Sequence, residues 1–289
     1  MIIGVSETIR RISYSPWVGR LISRLRLRGF MQKLYALLRG NAGTVRFCLN
    51  GVEALFSART PAELRCVEGA WFSEHEAISA VQAALKAGDT FLDVGSNLGI
   101  FTIFAAKAVG PEGTVIACEP ETIAHSRLQR NIEINQLHNV RLFKLALSDR
   151  RSRKNLLLGD PEAVSQSAHL SDDDGPSEMV EAADYDSLVA NEGFPIPRVV
   201  KMDIEGHEYA ALEGMARELS SPSCIALFCE IHPSALPAGV STADVVRRIE
   251  SLGFESASAR KRGAQFQVVA KKPTAPLPIQ QSPLAARSD

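Results

Sequence analysis

Apolar and polar positions follow each other along the chain in blocks that predict a regular succession of strands and helices. Residues 90–94 form an apolar run that contains one acid, which is typical of a buried parallel strand with a polar carboxyl end. Residues 99–109 have apolar positions at helical spacing, and a Gly-Pro-Glu-Gly segment ends that helix. Residues 114–118 form a second buried run. This part of the chain therefore predicts a βαβ unit.

The same alternation extends on both sides of this unit. Upstream, two short strands precede a helix that begins near residue 70. Downstream, the pattern predicts a helix over 121–137, one strand over 139–147, a short strand over 156–158, a strand over 198–203, a helix over 205–219, a strand over 224–231 and a helix over 243–252. Residues 254–258 and 265–270 are strand-like and flank a basic turn, 260–263, so they should pair as a hairpin. The fold class is therefore α/β, with a mostly parallel seven-stranded sheet and a terminal antiparallel hairpin.

Chemistry-bearing residues follow the first two strands of the βαβ unit. Asp93 lies near the end of the first strand, Gly95 and Gly99 flank a tight turn, and Glu119 closes the second strand. Ligands of open α/β sheets bind at the carboxyl ends of the strands, and an acid in the position of Glu119 suits a ribose diol. The alternative is that both acids are helix caps or solvated turn residues. Their occurrence at adjacent strand ends favours a nucleoside site.

The glycine spacing distinguishes two kinds of nucleotide ligand. Dinucleotide enzymes seat a pyrophosphate with GxGxxG, whereas this turn reads Gly-Ser-Asn-Leu-Gly after an acid. S-adenosylmethionine carries no phosphate, and its ammonium and sulfonium suit a nearby carboxylate. The turn backbone, Ser96 and the Asn97 side chain would supply polar contacts. An NAD-dependent dehydrogenase or epimerase is the alternative enzyme, but the chain contains no Tyr-x-x-x-Lys relay.

The chain resembles the FkbM family of S-adenosylmethionine-dependent methyltransferases. The resemblance covers about residues 70–235 and rests on segments 88–106, 115–121, 128–149, 184–188, 199–215 and 226–232. It implies a class I methyltransferase fold, S-adenosylmethionine as the cofactor, and methyl transfer to a hydroxyl of a sugar, glycolipid or secondary metabolite. It also implies cofactor contacts from Pro120, Ser148, Asp149 and Asp203. The terminal hairpin agrees with a methyltransferase sheet rather than a plain dinucleotide-binding one.

A second polar cluster, Lys-Met-Asp-Ile-Glu-Gly-His-Glu, spans residues 201–208. Asp203 and Glu205 lie where the fourth strand ends, so we expect them to face the substrate and accept a hydroxyl proton; pairing with Lys201 is the structural alternative. His232 closes the fifth strand and is a further candidate base. His75 is a weaker one, and the remaining candidates, His125, His138 and His169, are expected at the surface. One acidic strand end offers too few ligands for a metal, so no metal site is predicted.

Composition limits the class of protein. The 289 residues carry a formal net charge of −1, which gives no global signature of nucleic-acid binding. The five cysteines form no CxxC pair, which indicates a reducing compartment and argues against a zinc site. The sequence shows no apolar run of about 18 residues and no signal-peptide pattern, so a cytoplasmic protein is expected.

Charge and composition divide the chain into parts. Residues 1–43 form a basic amphipathic arm, with eight Arg/Lys and one acid in residues 1–40. We expect this arm either to dock on the core or on a partner subunit of a homo-oligomer, or to lie on an anionic membrane at its inner face. Residues 44–272 are the methyltransferase domain, 159–183 an acidic flexible insertion over the acceptor side of the cleft, and 273–289 a disordered tail. A catalytically inactive, membrane-associated binding protein is the alternative without chemistry.

Overall fold

The computed structural model describes residues 43–159, 168–171 and 174–273. The predicted arm, apart from residue 43, therefore lies outside the described residues. The same is true of 160–167 and 172–173 in the predicted insertion, and of 274–289 in the predicted tail. Among the helices that are described, none is long and apolar enough to cross a membrane.

The first half of the described chain builds a small hairpin and one side of a large sheet. Two strands pair antiparallel before the first helix, and the βαβ unit follows with the predicted boundaries almost unchanged. The elements are β1 Thr44–Leu49, β2 Val52–Ser57, α1 Pro61–Ala84, β3 Thr90–Val94, α2 Ile100–Val109, β4 Thr114–Cys118, α3 Thr122–Ile134 and β5 Val140–Phe143.

The second half adds a small sheet and then completes the large one. The elements are β6 Ala146–Leu147, β7 Ser152–Leu157, β8 His169–Leu170, β9 Ser177–Ala183, α4 Tyr185–Glu192, β10 Val199–Met202, α5 Glu208–Gly214, α6 Ala216–Ser220, β11 Ala226–Ile231, α7 Thr242–Ser251, β12 Glu255–Arg262 and β13 Gln265–Lys271. Strands β6, β9, β7 and β8, in that order, form the small sheet.

The large sheet has seven strands in the order β12-β13-β11-β10-β3-β4-β5. Strands β11, β10, β3, β4 and β5 are parallel to one another, and β13 runs antiparallel between β11 and β12. The chain proceeds from β3 towards β5 on one side and returns to β10 on the other side of β3. This reversal makes the β3–β10 boundary a topological switch point, where the helices diverge and leave a crevice at the carboxyl ends. The predicted α/β sheet with its terminal hairpin is confirmed.

Alternate residues of the central strands feed two apolar cores. Phe91 packs with Phe104 and Trp71 on one face, while Leu92 packs with Val200 and Met202 on the other. All six residues of β11 are buried. Covering both faces explains why these strands are near-continuous apolar runs in the sequence, and it gives the strand ends a rigid support.

Several predicted elements are corrected by the structure. The strand predicted over 139–147 is two strands, because β5 is the edge of the large sheet and Ala146–Leu147 leaves it to pair with β9. The predicted flexible insertion includes β9, whose Val180 and Ala182 are buried against Leu156. The basic turn predicted at 260–263 largely belongs to β12, since Arg260 to Arg262 pair with β13.

The helix predicted over 205–219 is also different. It begins only at Glu208, because Glu205 has φ 52° and Gly206 has φ 101°, which are not helical. It also divides into α5 and α6 at Met215. The turn that replaces the first helical residues carries the acidic cluster of the site described next.

Candidate active site

The turn between β3 and α2 brings backbone very close to the end of β10. Gly95 has φ +76°, and a Cβ added there would lie 2.0 Å from the carbonyl oxygen of Asp203. Gly99 has φ +82°, and its Cβ would lie 2.1 Å from Leu128 Cδ1. The turn is tied to β4, because the backbone N–H groups of Gly95 and Ser96 both donate to the carbonyl of Cys118. Glycine is therefore required at Gly95, and the positive φ favours it at Gly99.

Glu119 bridges this turn and the next one. Its Oε2 accepts from the backbone N–H of Asn97 at 2.7 Å, and its Oε1 accepts from that of Glu121 at 2.9 Å. Burial is the main cause that raises the pKa of Glu119 to about 7, against these two hydrogen bonds, which lower it. Each carboxylate oxygen has a second lone pair. The side chain can therefore accept two further hydrogen bonds from a diol.

Asp93 acts behind the turn rather than in the crevice. It is fully buried, and its Oδ2 accepts from Thr102 Oγ1 at 2.5 Å. Lys201 Nζ lies 3.6 Å from Asp93 Oδ1 and donates to the carbonyl of Gly95 at 2.8 Å. Desolvation opposes the charge of Lys201, but Asp93 and Asp203 outweigh it and raise the pKa of the lysine. Asp93 therefore fixes a cation that holds the glycine turn.

The ends of β10 and β11 bring together Asp203, Glu205 and His232. The imidazole Nε2 lies 3.6 Å from Asp203 Oδ1 and 3.4 Å from Glu205 Oε2. Its Nδ1 lies 2.9 Å from Glu208 Oε1. His232 is 4% exposed, whereas the two carboxylate side chains are 32% and 29% exposed. The carboxylates thus face the crevice and the imidazole supports them from below.

The pKa values of Glu205 and His232 are both raised, but for different reasons. Burial raises the pKa of Glu205 to about 7, although the neighbouring imidazole lowers it. Burial lowers the pKa of His232, but its hydrogen bond with Glu208 and the charges of Asp203 and Glu205 prevail and raise it to about 9. The surrounding carboxylates therefore stabilise positive charge at this position of the site.

A cavity of about 320 Å³ lies over these strand ends. The glycine turn, Glu119 and Pro120 form one side, and apolar residues 145–147 continue it. The other side carries the polar groups Glu74, Lys201, Asp203, Glu205, His207, Glu230, Arg262 and Gln265. Five carboxyl groups against Lys201 and Arg262 make the described part of the wall acidic.

Most of the site residues predicted from the sequence lie in this wall. Those that line it are Gly95, Ser96, Asn97, Glu119, Pro120, Asp203 and Glu205. Asp93, Gly99 and His232 stand behind it, and the predicted cofactor residues Ser148 and Asp149 are not part of it. Ser148 instead donates to Asp149 Oδ1 at 3.0 Å, and its hydroxyl lies 3.0 Å from His207 Nε2.

Several residues of the cavity wall were not predicted from the sequence. His169, expected at the surface, lines the cavity from β8. Helix α1 lines the cavity with Ala70, Ser73 and Glu74, whereas the candidate His75 is exposed. Glu230 and Arg262 were not proposed as site residues. The strands β11 and β12 were predicted from the sequence, but their register against β13, which places Glu230 and Arg262 at the crevice, was not.

A model of the methyltransferase FkbM domain matches residues 93–256. The chain belongs to the FkbM methyltransferase family. The FkbM match confirms the predicted family, the class I methyltransferase fold and the methyltransferase activity class, and it favours them over a dehydrogenase, an epimerase or an inactive binding protein.

A characterised methyltransferase and two methyltransferase structures are among the proteins similar to this FkbM chain. Hexuronic acid methyltransferase AglP of Haloferax volcanii is 28% identical over 202 residues, which cover 70% of this chain and 74% of the relative. The structure of methyltransferase FkbM from Methylobacillus flagellatus KT is 16% identical with a TM-score of 0.44, covering 64% of this chain and 44% of that one. A methyltransferase structure from Aquifex aeolicus is 16% identical with a TM-score of 0.43, covering 72% and 96%.

Proposed function

We propose that this FkbM protein transfers a methyl group from S-adenosylmethionine to a hydroxyl group of an acidic sugar. The observation that carries the proposal is the juxtaposition, in one cavity, of the Gly95 turn and Glu119 with the carboxylates of Asp203 and Glu205. The first pair suits a nucleoside, and the second suits a hydroxyl that loses a proton. The hexuronic acid named for the similar Haloferax protein supports the sugar class.

The residues on the β3–β4 side fit the cofactor. When bound, S-adenosylmethionine supplies a methyl group already activated on a sulfonium, so the protein needs chiefly to bind and align. Glu119 would accept the two ribose hydroxyls, and the turn at Gly95, held against the end of β10, would contact the amino-acid end. The acidic character of the wall favours a ligand with two positive groups.

The residues on the β10–β11 side fit the acceptor. Glu205 would receive the hydroxyl proton, since its carboxylate is open to the cavity and is backed by His232 at 3.4 Å. Asp203, tied to Lys201 at 3.8 Å, would orient the acceptor oxygen. A positioned base contributes about 10²–10⁴-fold to turnover.

A carboxylate on the acceptor requires a cationic partner in this acidic cavity. Arg262 lines the cavity from the end of β12, where its Nη1 lies 2.8 Å from Glu74 and 4.0 Å from Glu230. A guanidinium can bind a carboxylate through two parallel hydrogen bonds. We therefore assign Arg262 to the acid group of the sugar.

Comparison of two arginines of β12 tests the acceptor class. Arg262→Gln should raise KM for a uronic acid glycoside by at least about tenfold, the loss of one charge-assisted hydrogen bond, with little change for the matching neutral glycoside. Arg260→Gln is the control, because that side chain is 81% exposed and forms an ion pair with Glu76 at 3.9 Å on the surface. Equal use of the acidic and neutral glycosides by the wild-type enzyme would contradict the acidic-sugar assignment.

Comparison of two glutamates tests the base. Glu205→Gln should lower turnover by about 10²–10⁴-fold, with the affinity for S-adenosylhomocysteine changed less than about twofold. Glu213→Gln is the control, since Glu213 is exposed and pairs with Arg248 away from the cavity wall. Full activity of Glu205→Gln would place the base elsewhere.

A further inference from the structure

The cluster of Asp203, Glu205 and His232 has an arrangement that the hydroxyl-activation role alone does not explain. One ligand atom from each residue lies within 4.8 Å of the others. The three come from two strand ends, because β11 adds His232 to the two acids that follow β10. The sequence predicted no metal site because one strand end offers too few ligands. The pairing of β10 with β11 brings ligands from two strand ends together.

The Nε2 atom of the imidazole points into this cluster. His232 is 4% exposed, and its buried Nε2 has no hydrogen bond among the described residues. The carboxylate oxygens at 3.4 and 3.6 Å are beyond normal N–H···O distance. Two atoms bound to a common ion at about 2.1 Å lie about 3–3.5 Å apart. The spacing therefore suits atoms that share an ion better than atoms that share a proton.

Glu208 fixes the orientation of this imidazole. Its Oε1 lies 2.9 Å from His232 Nδ1 and also accepts from the backbone N–H of Gly206 at 2.9 Å. Glu208 is fully buried. A carboxylate on one ring nitrogen sets the tautomer and leaves the other nitrogen free to bind a metal, which is the usual support of metal-bound histidines.

We propose that Asp203 Oδ1, Glu205 Oε2 and His232 Nε2 bind one divalent cation, with Glu208 as the residue that positions the imidazole. Two carboxylates and one imidazole suit Mn²⁺ or Mg²⁺ with remaining positions for water or substrate oxygens. The partial exposure of both carboxylates leaves those positions open to the cavity. Glu205 Oε1 stays available to accept a proton.

The cation also resolves a charge conflict, and this role rests on the proposed acidic-sugar acceptor. Glu74, Asp203, Glu205 and Glu230 would repel the carboxylate of a uronic acid, and Arg262 is already close to two of them. A divalent ion at the cluster would compensate two of these charges. It would also give the acceptor oxygens a second point of attachment beside Arg262.

Binding of Mn²⁺ alone tests the site without any turnover. The full chain is freed of metal with a chelator and titrated with Mn²⁺, and free ion is measured by electron paramagnetic resonance. We expect saturable binding of one ion per chain, weakened at least about tenfold by Asp203→Asn or Glu205→Gln and about 10–100-fold by Glu208→Gln. Glu213→Gln is the control and should bind as the wild type does. Pulsed measurements should show coupling of Mn²⁺ to one imidazole nitrogen, lost in His232→Asn.

Two outcomes would overturn the proposal, and they are separable from failure of the methyltransferase assignment. Absence of saturable binding, or binding that none of the three carboxyl variants weakens, would contradict the site even if the chelated enzyme transfers methyl groups. Binding as expected in a chain that fails to bind S-adenosylhomocysteine would leave the metal site standing and refute the proposed cofactor. Circular dichroism of each variant confirms folding, and the nitrogen coupling in the wild type does not depend on any variant.

Discussion

The substitution Glu119→Gln should weaken both the glycine turn and the proposed contact with the ribose. The glutamine has the shape of the glutamate, but its amide group replaces one of two oxygens that accept backbone N–H groups at 2.7 and 2.9 Å. It also removes one acceptor for the proposed ribose diol. A hydrogen bond to a charged group contributes about 1.5–3 kcal/mol, so affinity for S-adenosylhomocysteine should fall roughly 10–150-fold at pH 8.

The pH dependence of binding gives a sharper signature of the same residue. With a pKa of about 7, about one tenth of Glu119 is ionised at pH 6 and about nine tenths at pH 8. The ionised form is the better acceptor, so wild-type affinity should rise about tenfold between these values. The folding stability of the ligand-free protein should change with pH in the opposite direction. The folded-state pKa exceeds the ordinary value, so the stability contributed by the protonated group is present at low pH and is lost as pH rises through 7.

Isothermal titration calorimetry with S-adenosylhomocysteine from pH 6 to 8 measures both effects. The Glu119→Gln variant reports the titration of the ligand's own amino group, so the difference between the two curves belongs to Glu119. Glu112→Gln is the matched control, because Glu112 is exposed in the loop before β4. Parallel curves for wild type and Glu119→Gln, or an affinity unchanged by the substitution, would refute the assignment of Glu119 to the ribose.

Three further predictions concern the turn, its support and the arm. Gly95→Ala should abolish S-adenosylhomocysteine binding in calorimetry, because its Cβ would meet the Asp203 carbonyl at 2.0 Å. Gly88→Ala is the control: Gly88 has φ +84° and open space around it, so this variant should lose only about 1–2 kcal/mol of stability and still bind. Equal binding by the two variants would contradict the close approach at Gly95. Thr102→Val should lower the free energy of unfolding by about 1.5–3 kcal/mol in urea, since Asp93 loses its hydroxyl donor, and Thr102→Ser should restore most of it; a neutral Thr102→Val would show that the bond does not stabilise the fold. Removal of residues 1–42, which the sequence predicts to be a basic amphipathic arm, should leave cofactor affinity unchanged and abolish any sedimentation of the full chain with anionic vesicles at low salt; equal sedimentation of both chains would show that the arm does not bind lipid.

The βαβ unit could be predicted because its signals are local. Residues 90–94 and 114–118 are apolar runs of strand length, and the glycines between them cannot be replaced where backbone passes within contact distance of backbone. Asp93 and Glu119 follow directly from the ends of these strands. Their different roles could not be predicted, because Asp93 contacts Thr102 and Lys201 in the interior, and these contacts depend on tertiary packing.

The acceptor side of the site depends on contacts between distant segments. Arg262 lies 2.8 Å from Glu74, almost two hundred residues away along the chain, and His232 contacts Asp203 and Glu205 through the pairing of β10 with β11. The register between such distant strands cannot be read from a single sequence. The division of residues 139–147 between two sheets had the same cause, since the pairing of Ala146 with Ala182 decides it.

Transfer of a ¹³C-labelled methyl group from S-adenosylmethionine to a uronic acid glycoside is the decisive test of the proposed sugar O-methyltransferase activity. Nuclear magnetic resonance of the product distinguishes a methyl group on oxygen from one on nitrogen or carbon. We expect the wild-type chain to give a single methoxy signal on the sugar. The signal should fall about 10²–10⁴-fold with Glu205→Gln and stay unchanged with Glu213→Gln. Label found on nitrogen or carbon, or no transfer to any sugar hydroxyl by a chain that binds S-adenosylhomocysteine, would contradict the proposed activity.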